Sequence, residues 1–300
     1  MNKKFAEFQE KIHGEKSAQK WLKKIPLIID ELKTKWELEI SEEFDLSWNY
    51  VISAKRKSGE NAVLKIYFPE DKEFFNQRET LKIFNGEGAI RVLESDEKNF
   101  TILLEQCMPG STLSSINNED EETKIFCDTV KKLWKKPTSG YKFTSVADDL
   151  KDFDWYFQNK EKCSDLLEEE IVKKAQEKFT HLSETQKDLY LLHSDLHHEN
   201  VLKSERGWLA IDPKGVLGEK EYEVTAFMRN PIKRAKENLL TKDILLKRMD
   251  IIIKELGLDR QRVIDWSFAQ TLLSVIWGLK SGSGREDYWY KIAKELENLK

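Results

Sequence analysis

The stretch LLHSDLHHENVLKSERGWLAIDPK, residues 191–214, decides how this chain is expected to fold, and it contains three of the chain's five histidines. Residues 201–204 form a short, mostly apolar run, ERG supplies turn chemistry, and residues 208–211 return as a second apolar run. This pattern predicts a β-hairpin. Folding the hairpin about its central arginine would set Asn200 opposite Asp212.

The open end of the predicted hairpin carries two oxygen ligands. The amide of Asn200 and the carboxylate of Asp212 are hard ligands of the kind that Mg²⁺ binds while it keeps phosphate and water in its other positions. Asp195 precedes the hairpin on a loop and is free to face a substrate hydroxyl. The protein-kinase catalytic loop follows the pattern H-x-D-L-x-x-x-N, with a metal-binding aspartate after a short hairpin. His193, Asp195, Leu196 and Asn200 fill that pattern.

The kinase-like pattern of this loop predicts phosphoryl transfer. Two alternative interpretations of the same loop exist. Imidazole and carboxylate groups at short spacing can bind Zn²⁺, but a structural zinc site usually takes four ligands and only two further histidines occur in the chain. A surface loop without a role would leave the apolar flanks Leu191–Leu192 and Val201–Leu202 unexplained, since they indicate a loop held between buried segments. The ligands of the zinc alternative would be His193, Asp195, His197 and His198.

The chain before the loop predicts a small mixed lobe. Alternating or apolar runs predict an antiparallel sheet, and helical spacing over residues 74–84 adds one helix. The predicted strands cover 48–55, 62–68, 90–94 and 100–106. Two amphipathic helices are expected before the sheet, because apolar residues recur there at helical spacing. Their apolar residues are Phe5, Phe8 and Ile12, then Trp21, Ile25, Ile28 and Leu32.

After Gly110 the apolar pattern becomes helical. The predicted helices cover 119–135, 146–159, 164–182, 231–256 and 260–279, interrupted by residues 191–214. We therefore predict an α/β (α+β) chain of two lobes. The N-terminal lobe, residues 1–106, combines a helical extension with a nucleotide-binding sheet, and the larger, mostly helical C-terminal lobe, residues 107–300, carries the catalytic loop and an acceptor pocket.

Phosphoryl transfer makes a demand on the small lobe. It requires a lysine inside a strand to hold nucleotide phosphates and a glutamate on the following helix to orient that lysine. The run NAVLKIYF supplies Lys65, on the strand face opposite Ala62, Leu64 and Ile66. Glu79 is the predicted partner on the helix. A lone strand lysine is usually only solvated, but the lysine, the glutamate, the catalytic loop and its aspartate occur in the required order.

Composition excludes several other classes of protein. Lys and Arg number 50 against 54 Asp and Glu, so no broad basic face for nucleic acid is expected. No long uncharged apolar run occurs, so neither a signal peptide nor a membrane span is expected. Cys107, Cys127 and Cys163 are widely spaced and predict neither a disulfide framework nor a zinc ribbon. This cysteine usage suits a cytoplasmic protein.

These residues resemble the aminoglycoside phosphotransferase family, specifically its streptomycin 6-phosphotransferase and hydroxyurea phosphotransferase branch. The similarity extends over residues 48–235. The family pattern reads HGDLHxGNVL, followed by IDPK, a GE, a Tyr-Asp pair and an RN. The segments that carry the resemblance are AVLKIY, GAIRVLESD, LLEQCMPGSTL, LLHSDLHHENVL and WLAIDPKGVLGEKEYEVTAFMRNP. The resemblance implies a protein-kinase-like fold with ATP, GTP not being excluded, between the lobes.

The resemblance also implies a role for each site residue. The crossing segment near residues 105–110 would pair with adenine through its backbone. Asp195 would be the catalytic base, Asn200 and Asp212 the Mg²⁺ ligands, Lys65 the phosphate anchor, Glu79 its ion-pair partner, and Gln106 and Met108 the adenine-binding positions.

Several positions depart from the family pattern. Ser194 and Glu199 stand where the pattern has glycine, so the loop backbone is less free. Glu223 stands where an aspartate usually caps the catalytic loop. No G-x-G-x-x-G occurs before Lys65, so SAKRKSGEN, with Gly59, is the predicted phosphate-covering loop.

An acidic, aromatic stretch suggests the acceptor. In ADDLKDFDWYF, Asp148 and Asp152 lie four apart on a predicted helix face, with Asp149 and Trp155 nearby. A guanidinium could bind the carboxylates and stack on the indole. The alternative is that these acids only cap and solvate a helix N-terminus. Trp266 and Trp277 are further candidates for the pocket wall.

We therefore expect a kinase that transfers the γ-phosphoryl group of ATP to a hydroxyl of a small cationic molecule, of the streptomycin type by resemblance. A kinase for a choline-like or sugar metabolite would keep every motif and differ only in the acceptor pocket. A non-catalytic nucleotide-binding module and a zinc hydrolase are the remaining alternatives.

Overall fold

The computed structural model describes residues 3–44, 48–138, 140–163 and 166–299. The helices of these ranges are α1 (Lys3–His13), α2 (Glu15–Lys35), α3 (Lys72–Phe84), α4 (Glu119–Leu133), α5 (Leu150–Gln158), α6 (Glu169–Glu184), α7 (Lys220–Glu223), α8 (Thr225–Met228), α9 (Ile232–Lys236), α10 (Lys242–Leu256), α11 (Arg260–Ser281) and α12 (Glu286–Glu297). The strands are β1 (Leu38–Glu43), β2 (Tyr50–Arg56), β3 (Asn61–Ile66), β4 (Val92–Asp96), β5 (Thr101–Glu105), β6 (Thr144–Ser145), β7 (Tyr190–Leu192), β8 (Val201–Ser204), β9 (Gly207–Ala210) and β10 (Val216–Gly218).

The N-terminal sheet is antiparallel, with the strand order β1-β2-β3-β5-β4. Helices α1 and α2 cover one face, where Trp21 and Ile25 share a core with Leu64 and Ile66 of β3. Tyr67, directly after β3, belongs instead to the core that contains α3. The predicted alternation of β3 and the two amphipathic helices are therefore confirmed. Both faces of β3 are buried, so apolar residues occur at successive positions along the strand and not only at every second one.

Strand β1 was not predicted, and the sheet that contains it shows where the predicted phosphate-covering loop lies. Strand β1 ends at Glu43 and β2 begins at Tyr50, which pairs with Ile66 at one end of the sheet. Residues 45–47, between these two strands, lie outside the described residues. The segment SAKRKSGEN instead forms the end of β2 and the turn into β3. This turn lies at the opposite end of the sheet, where Ala62 pairs with Glu105. The predicted position of the covering loop is therefore wrong.

The C-terminal part is mostly helical around α11. This helix is buried on almost every side, so its apolar residues do not show one clean face. Two predictions need correction there. The expected helix 231–256 is divided into α9 and α10, because Asn238 adopts a left-handed conformation with φ 54°. The expected helix 164–182 begins only at Glu169, and its positions 164–165 lie outside the described residues. Helix α12 was not predicted.

The segment after β5 joins the sheet to the catalytic hairpin. Gly110 donates from its backbone N–H to the Lys203 carbonyl at 3.0 Å, and Lys203 donates to the Ser111 carbonyl at 2.9 Å. Gly110 has φ +78°, and a Cβ there would lie 2.9 Å from the Cys107 carbonyl oxygen, so this close turn requires glycine.

Of the helices in the described ranges, none combines the length and apolar character that a membrane crossing requires.

Arg206, in the turn between β8 and β9, forms four hydrogen bonds to the sheet side of the molecule. Its guanidinium donates to both carboxylate oxygens of Glu105 at 2.8 and 2.6 Å. It also donates to the carbonyls of Gly86 at 2.9 Å and Ala89 at 3.4 Å. A bidentate pair with two further carbonyl acceptors fixes the hairpin against the end of β5.

We expect Arg206→Ala to lower the free energy of unfolding by about 1–3 kcal/mol, because it leaves Glu105 and two carbonyls without these donors. Urea denaturation followed by circular dichroism measures the change. Arg260→Ala is the matched control, since Arg260 forms an exposed pair with Asp250, and it should cost less than about 1 kcal/mol. Equal effects of the two substitutions would contradict the conclusion that Arg206 fixes the hairpin against the end of β5.

Candidate active site

The predicted hairpin is confirmed, with its register shifted by one residue. Val201 pairs with Ala210, and Ile211 donates from its backbone N–H to the Asn200 carbonyl at 2.9 Å. Asn200 therefore lies opposite Ile211 and not opposite Asp212. Asp212 leaves the strand in a left-handed conformation with φ 60°, a backbone geometry that is uncommon for a non-glycine residue and often occurs at functional sites.

The loop before the hairpin is held by buried partners. His193 is fully buried, and its Nε2 lies 2.7 Å from the Ile211 carbonyl oxygen. The Glu223 carboxylate accepts the backbone N–H groups of His193 and Ser194, both at 2.8 Å. Ser194 has φ 62°, which accounts for glycine in the family pattern. Glu223 therefore caps the loop as expected, and burial raises its pKa to about 7.

The Asp195 carboxylate faces the cleft and is 30% exposed. Its backbone carbonyl accepts the Asn200 side-chain Nδ2–H group at 2.9 Å, which ties the loop to the start of β8. One carboxylate oxygen lies 3.8 Å from the Arg229 guanidinium and 3.9 Å from His197 Nε2. Arg229 is buried and donates to Gln270 at 2.6 Å. Asp195 thus presents a partly exposed carboxylate oxygen with the buried Arg229 guanidinium beside it.

Asp212 connects the hairpin to the N-terminal sheet. Lys65 Nζ lies 2.6 Å from Asp212 Oδ1, and Gln77 of α3 donates to the same oxygen at 3.0 Å. Gln77 also accepts a hydrogen bond from the Tyr67 hydroxyl. Burial opposes ionisation of Asp212, but Lys65 and Lys214 nevertheless hold its pKa well below the ordinary value. The strand lysine and the carboxylate therefore meet as the sequence predicted.

The prediction that Glu79 orients the strand lysine is wrong. Glu79 binds two residues of its own helix, Arg78 at 2.8 Å and Lys82 at 3.1 Å. Helix α3 turns a different face to the site, on which Glu73 and Gln77 lie four residues apart. The acidic partner of Lys65 is therefore Asp212, and α3 contributes to this contact the neutral amide of Gln77, which binds the aspartate and adds no second negative charge.

The sequence interpretation did not assign three residues that the structure brings to the site. Gln77 contacts Asp212 at 3.0 Å, Lys214 contacts Glu73 at 2.6 Å, and Arg229 lies beside Asp195. The motifs IDPK and RN already contained Lys214 and Arg229. Gln77 had no such signal, because only the rotation of α3 against the hairpin selects it.

The three histidines of the loop point to different partners, which removes the geometric basis of the zinc alternative. His193 faces Ile211, His197 Nδ1 lies 3.0 Å from a Glu199 carboxylate oxygen, and His198 is stacked on Phe227 at 4.2 Å between ring centroids. Within the described ranges, one group of such side chains is close enough to share a metal ion. It comprises Glu119, Glu122 and His198, whose carboxylates already bind Arg234 and Arg248.

Two of the predicted acceptor aspartates already have partners within the protein. Asp148 accepts the Ser145 backbone N–H at 2.9 Å and forms a capping box. Asp152 is buried, accepts the Trp277 indole N–H at 2.8 Å and also binds Lys280. The prediction that these two carboxylates share a cation is therefore wrong, because the chain itself neutralises one and uses the other as a helix cap.

Asp149 remains half-buried on the side of the catalytic loop. Burial raises its pKa to about 7, and the neighbouring Asp152 adds to that increase. Burial, with smaller contributions from the charges of Asp149 and Asp195, raises the pKa of the buried Tyr222 hydroxyl. Trp155 is half-buried, and the Lys280 ammonium lies 5.1 Å from its ring centroid.

Trp266 is a core residue and not a pocket wall. It is fully buried, and its indole donates to Glu219. In the crossing segment, Gln106 donates from its backbone to the Asn61 carbonyl at 3.3 Å, and Met108 is 41% exposed. Adenine binding at these two positions stays a prediction.

The chain is similar to kinases of known name. Streptomycin 6-kinase of Streptomyces griseus is 25% identical over 288 residues, covering 90% of this chain and 88% of that protein. A choline/ethanolamine kinase family protein from Mesorhizobium loti has a TM-score of 0.65 at 15% identity, covering 90% of this chain and 95% of that one. Aminoglycoside phosphotransferase APH(4)-Ia, in a ternary complex with ADP and hygromycin B, has a TM-score of 0.60 at 14% identity, covering 89% and 97%.

These similarities establish the two-lobed protein-kinase-like fold, with a mixed antiparallel sheet and a larger helical part. A profile of the family described as aminoglycoside/hydroxyurea antibiotic resistance kinase matches residues 39–282, which is most of the chain. The geometry around Asp195 and Asp212 agrees with phosphoryl transfer to a hydroxyl group. The chain therefore belongs to the aminoglycoside/hydroxyurea antibiotic resistance kinase family.

Proposed function

We propose that this kinase transfers the γ-phosphoryl group of ATP to a hydroxyl of a small cationic acceptor of the aminoglycoside type, with streptomycin as the leading candidate. One observation carries the proposal: a single loop and hairpin presents both the partly exposed Asp195 and the Asp212 carboxylate, which Lys65 of β3 binds at 2.6 Å. The relative named streptomycin 6-kinase supports the choice of acceptor. The complex of a neighbouring enzyme with ADP and hygromycin B supports an adenine nucleotide as donor.

Asn200 and Asp212 are the proposed ligands of Mg²⁺. Asn200 uses its side-chain nitrogen to donate to the Asp195 carbonyl, which leaves its amide oxygen as the ligand atom. The Asp212 carboxylate is 41% exposed and anionic. An amide oxygen with a carboxylate fits Mg²⁺, which completes its coordination with phosphate and water. When bound, the ion neutralises charge on the phosphate oxygens.

Lys65 is the proposed phosphate anchor. Its ammonium is buried against Asp212 at 2.6 Å, and nucleotide phosphates would offer it a second set of anionic oxygens. Gln77 continues to hold the carboxylate when the lysine binds phosphate. Adenine would pair with the backbone near Gln106 and Met108, a mode that leaves GTP open as an alternative donor.

Asp195 is the proposed general base. Its carboxylate accepts the proton of the acceptor hydroxyl as the oxygen attacks the γ-phosphorus, and the bond to the β-phosphate oxygen breaks. The Glu223 cap and the buried Arg229 fix its position before substrate binds, so little reorganisation is required. We further propose that the lobes divide between residues 106 and 107 and that the enzyme acts in the cytoplasm.

Asp149 is the proposed carboxylate for the cationic acceptor, with Trp155 at its side. Because Asp152 already binds Lys280, this part of the pocket offers less free negative charge than the sequence suggested. That observation favours a second candidate function, a kinase for a singly charged or neutral hydroxylated metabolite. The fold is shared with a choline/ethanolamine kinase family protein.

The function is tested by ADP release with Mg²⁺ and either ATP or GTP across streptomycin, other aminoglycosides, choline, ethanolamine and simple sugars. We expect streptomycin to give the highest kcat/KM.

Asp195→Ala should keep nucleotide affinity but lower kcat by roughly 10²-fold or more, the scale for a lost general base. Asp154→Ala is the control, since Asp154 is exposed and binds Gln176. Full turnover in folded Asp195→Ala would refute the assigned role.

Lys65→Ala should raise the KM for ATP and lower kcat, each by about tenfold or more, because its ammonium contacts phosphate before and during transfer. Glu79→Gln should behave like the wild type, since its carboxylate contacts only Arg78 and Lys82. Steady-state kinetics at saturating acceptor compare the two variants. A large loss in Glu79→Gln would show that α3 rotates to bring Glu79 to the lysine during turnover.

Asp149→Asn should raise the acceptor KM about tenfold, the scale of one lost charged hydrogen bond, while the KM for ATP stays unchanged. The pKa of about 7 adds a second readout. Only the ionised carboxylate attracts a cation, so the wild-type acceptor KM should fall from about pH 6 to about pH 8, and the variant should lose this dependence. Asp148→Asn is the control. An unchanged KM in Asp149→Asn would place the acceptor elsewhere.

A further inference from the structure

We propose that Lys214 is a catalytic residue whose ammonium binds the phosphoryl group during transfer and neutralises charge on its oxygens between nucleotide and acceptor. The proposal rests on the function proposed above. The known motif contains this lysine only as the last letter of IDPK. In the structure its backbone is bonded to the loop that carries the proposed base, and it follows the proposed metal ligand Asp212 by two residues.

The backbone of Lys214 is fixed on two sides. Its N–H donates to the His193 carbonyl at 2.9 Å, which joins it to the catalytic loop, and it follows Asp212 by two residues with a proline between them. On the other side, Gly215 is pressed against α3. A Cβ on Gly215 would lie 2.0 Å from Thr80 Oγ1 and 3.1 Å from the Asn76 carbonyl oxygen. Lys214 is therefore held between the hairpin and the helix.

The side chain of Lys214 reaches into the cleft. It is 40% exposed, and Nζ lies 2.6 Å from Glu73 Oε1 on α3. Burial opposes the charge on this ammonium, but Glu73 in contact, together with the charges of Asp195 and Asp212, raises its pKa above the ordinary value. The ammonium therefore stays charged in a region where three different segments contribute acidic groups. A cation in that position compensates the negative charge that the two catalytic aspartates would otherwise present to an incoming phosphate.

The other nearby cations have different tasks. Lys65 is bound to Asp212 on the sheet side and is the proposed anchor of the nucleotide phosphates. Arg229 is buried and donates to Gln270, which keeps it behind Asp195. The phosphoryl group must pass from the metal ligand Asp212 to a hydroxyl held by Asp195. Lys214 is bonded through its backbone to the catalytic loop, follows Asp212 by two residues and keeps a side chain that is 40% exposed.

The chemical step needs no further reactant. The acceptor oxygen forms a bond to the γ-phosphorus, the bond from phosphorus to the β-phosphate oxygen breaks, and the hydroxyl proton goes to Asp195. Lys214 keeps its protons and contributes positive charge, which is most valuable when negative charge is spread over the transferred group. Its contact with Glu73 is the resting position from which the ammonium turns to the phosphate.

A purely structural role must be separated from this one, because the Lys214–Glu73 pair also links the hairpin to α3. Glu73→Gln removes that link but keeps the lysine. If the pair is only a tether, Glu73→Gln and Lys214→Met should impair the enzyme equally. If Lys214 acts on the phosphoryl group, Lys214→Met should be far more harmful, and Lys214→Arg should recover part of the loss because it restores the charge.

The experiment compares these variants with Lys203→Met, an exposed lysine of the same hairpin. We expect Lys214→Met to lower kcat by about 10²-fold or more, with the KM for ATP within about threefold of the wild type. Glu73→Gln and Lys203→Met should keep kcat within about threefold. The acceptor is the compound with the highest ADP release, and ATP hydrolysis by water is measured in parallel.

A binding measurement gives an independent readout that needs no acceptor. Calorimetry with Mg²⁺ and a non-hydrolysable ATP analogue should give similar affinities for the wild type and Lys214→Met. Tetrafluoroaluminate with Mg²⁺ and ADP mimics the phosphoryl group during transfer. Lys214→Met should bind this combination at least about tenfold more weakly than the wild type does. Equal affinity for that mimic, or equal damage from Glu73→Gln, would overturn the proposal. If Asp195→Ala is inactive while Lys214→Met is fully active, only the role of Lys214 fails.

Discussion

The ion pair between Lys65 and Asp212 is the contact on which the arrangement of the site depends. Strand β3 is the middle strand of its sheet, and Asp212 ends the catalytic hairpin, so a 2.6 Å contact between them joins the two halves of the molecule at the cleft. The contact forms between the two groups for which we propose phosphate binding and metal binding. Gln77 donates to the same carboxylate oxygen and holds it without adding charge.

The catalytic loop owes its rigidity to buried polar partners. Glu223 accepts two successive backbone N–H groups, and His198 stacks on Phe227, with Arg248 on the ring of the same phenylalanine at 4.9 Å from its centroid. Arg248 is fully buried and donates to three backbone carbonyls as well as to Glu119. Buried charges are tolerated only when they are paired and hydrogen-bonded. This network therefore specifies one loop conformation and holds the Asp195 carboxylate toward the cleft.

The acceptor side shows how a pattern of acidic residues can mislead. Asp148, Asp149 and Asp152 look alike in sequence, but one caps a helix, one binds Lys280 and one stays half-buried with a raised pKa. We propose a cation only at the last of the three. Charge in a sequence is thus a poor measure of charge in a pocket, because the chain supplies its own counter-ions from helices distant in sequence.

The sequence by itself determined the family, the order of the lobes, the hairpin and the identities of Lys65, Asp195 and Asp212, because these depend on short-range spacing and strand alternation. It did not determine β1, α12 or the break before α10, where buried surroundings obscure the periodicity. Only the tertiary structure decided that Gln77 and not Glu79 faces the site, and that Lys214 binds Glu73 of α3. The physical reason is that the rotation of α3 and the neighbours of each carboxylate are set by packing between segments far apart in the chain, which no local spacing encodes.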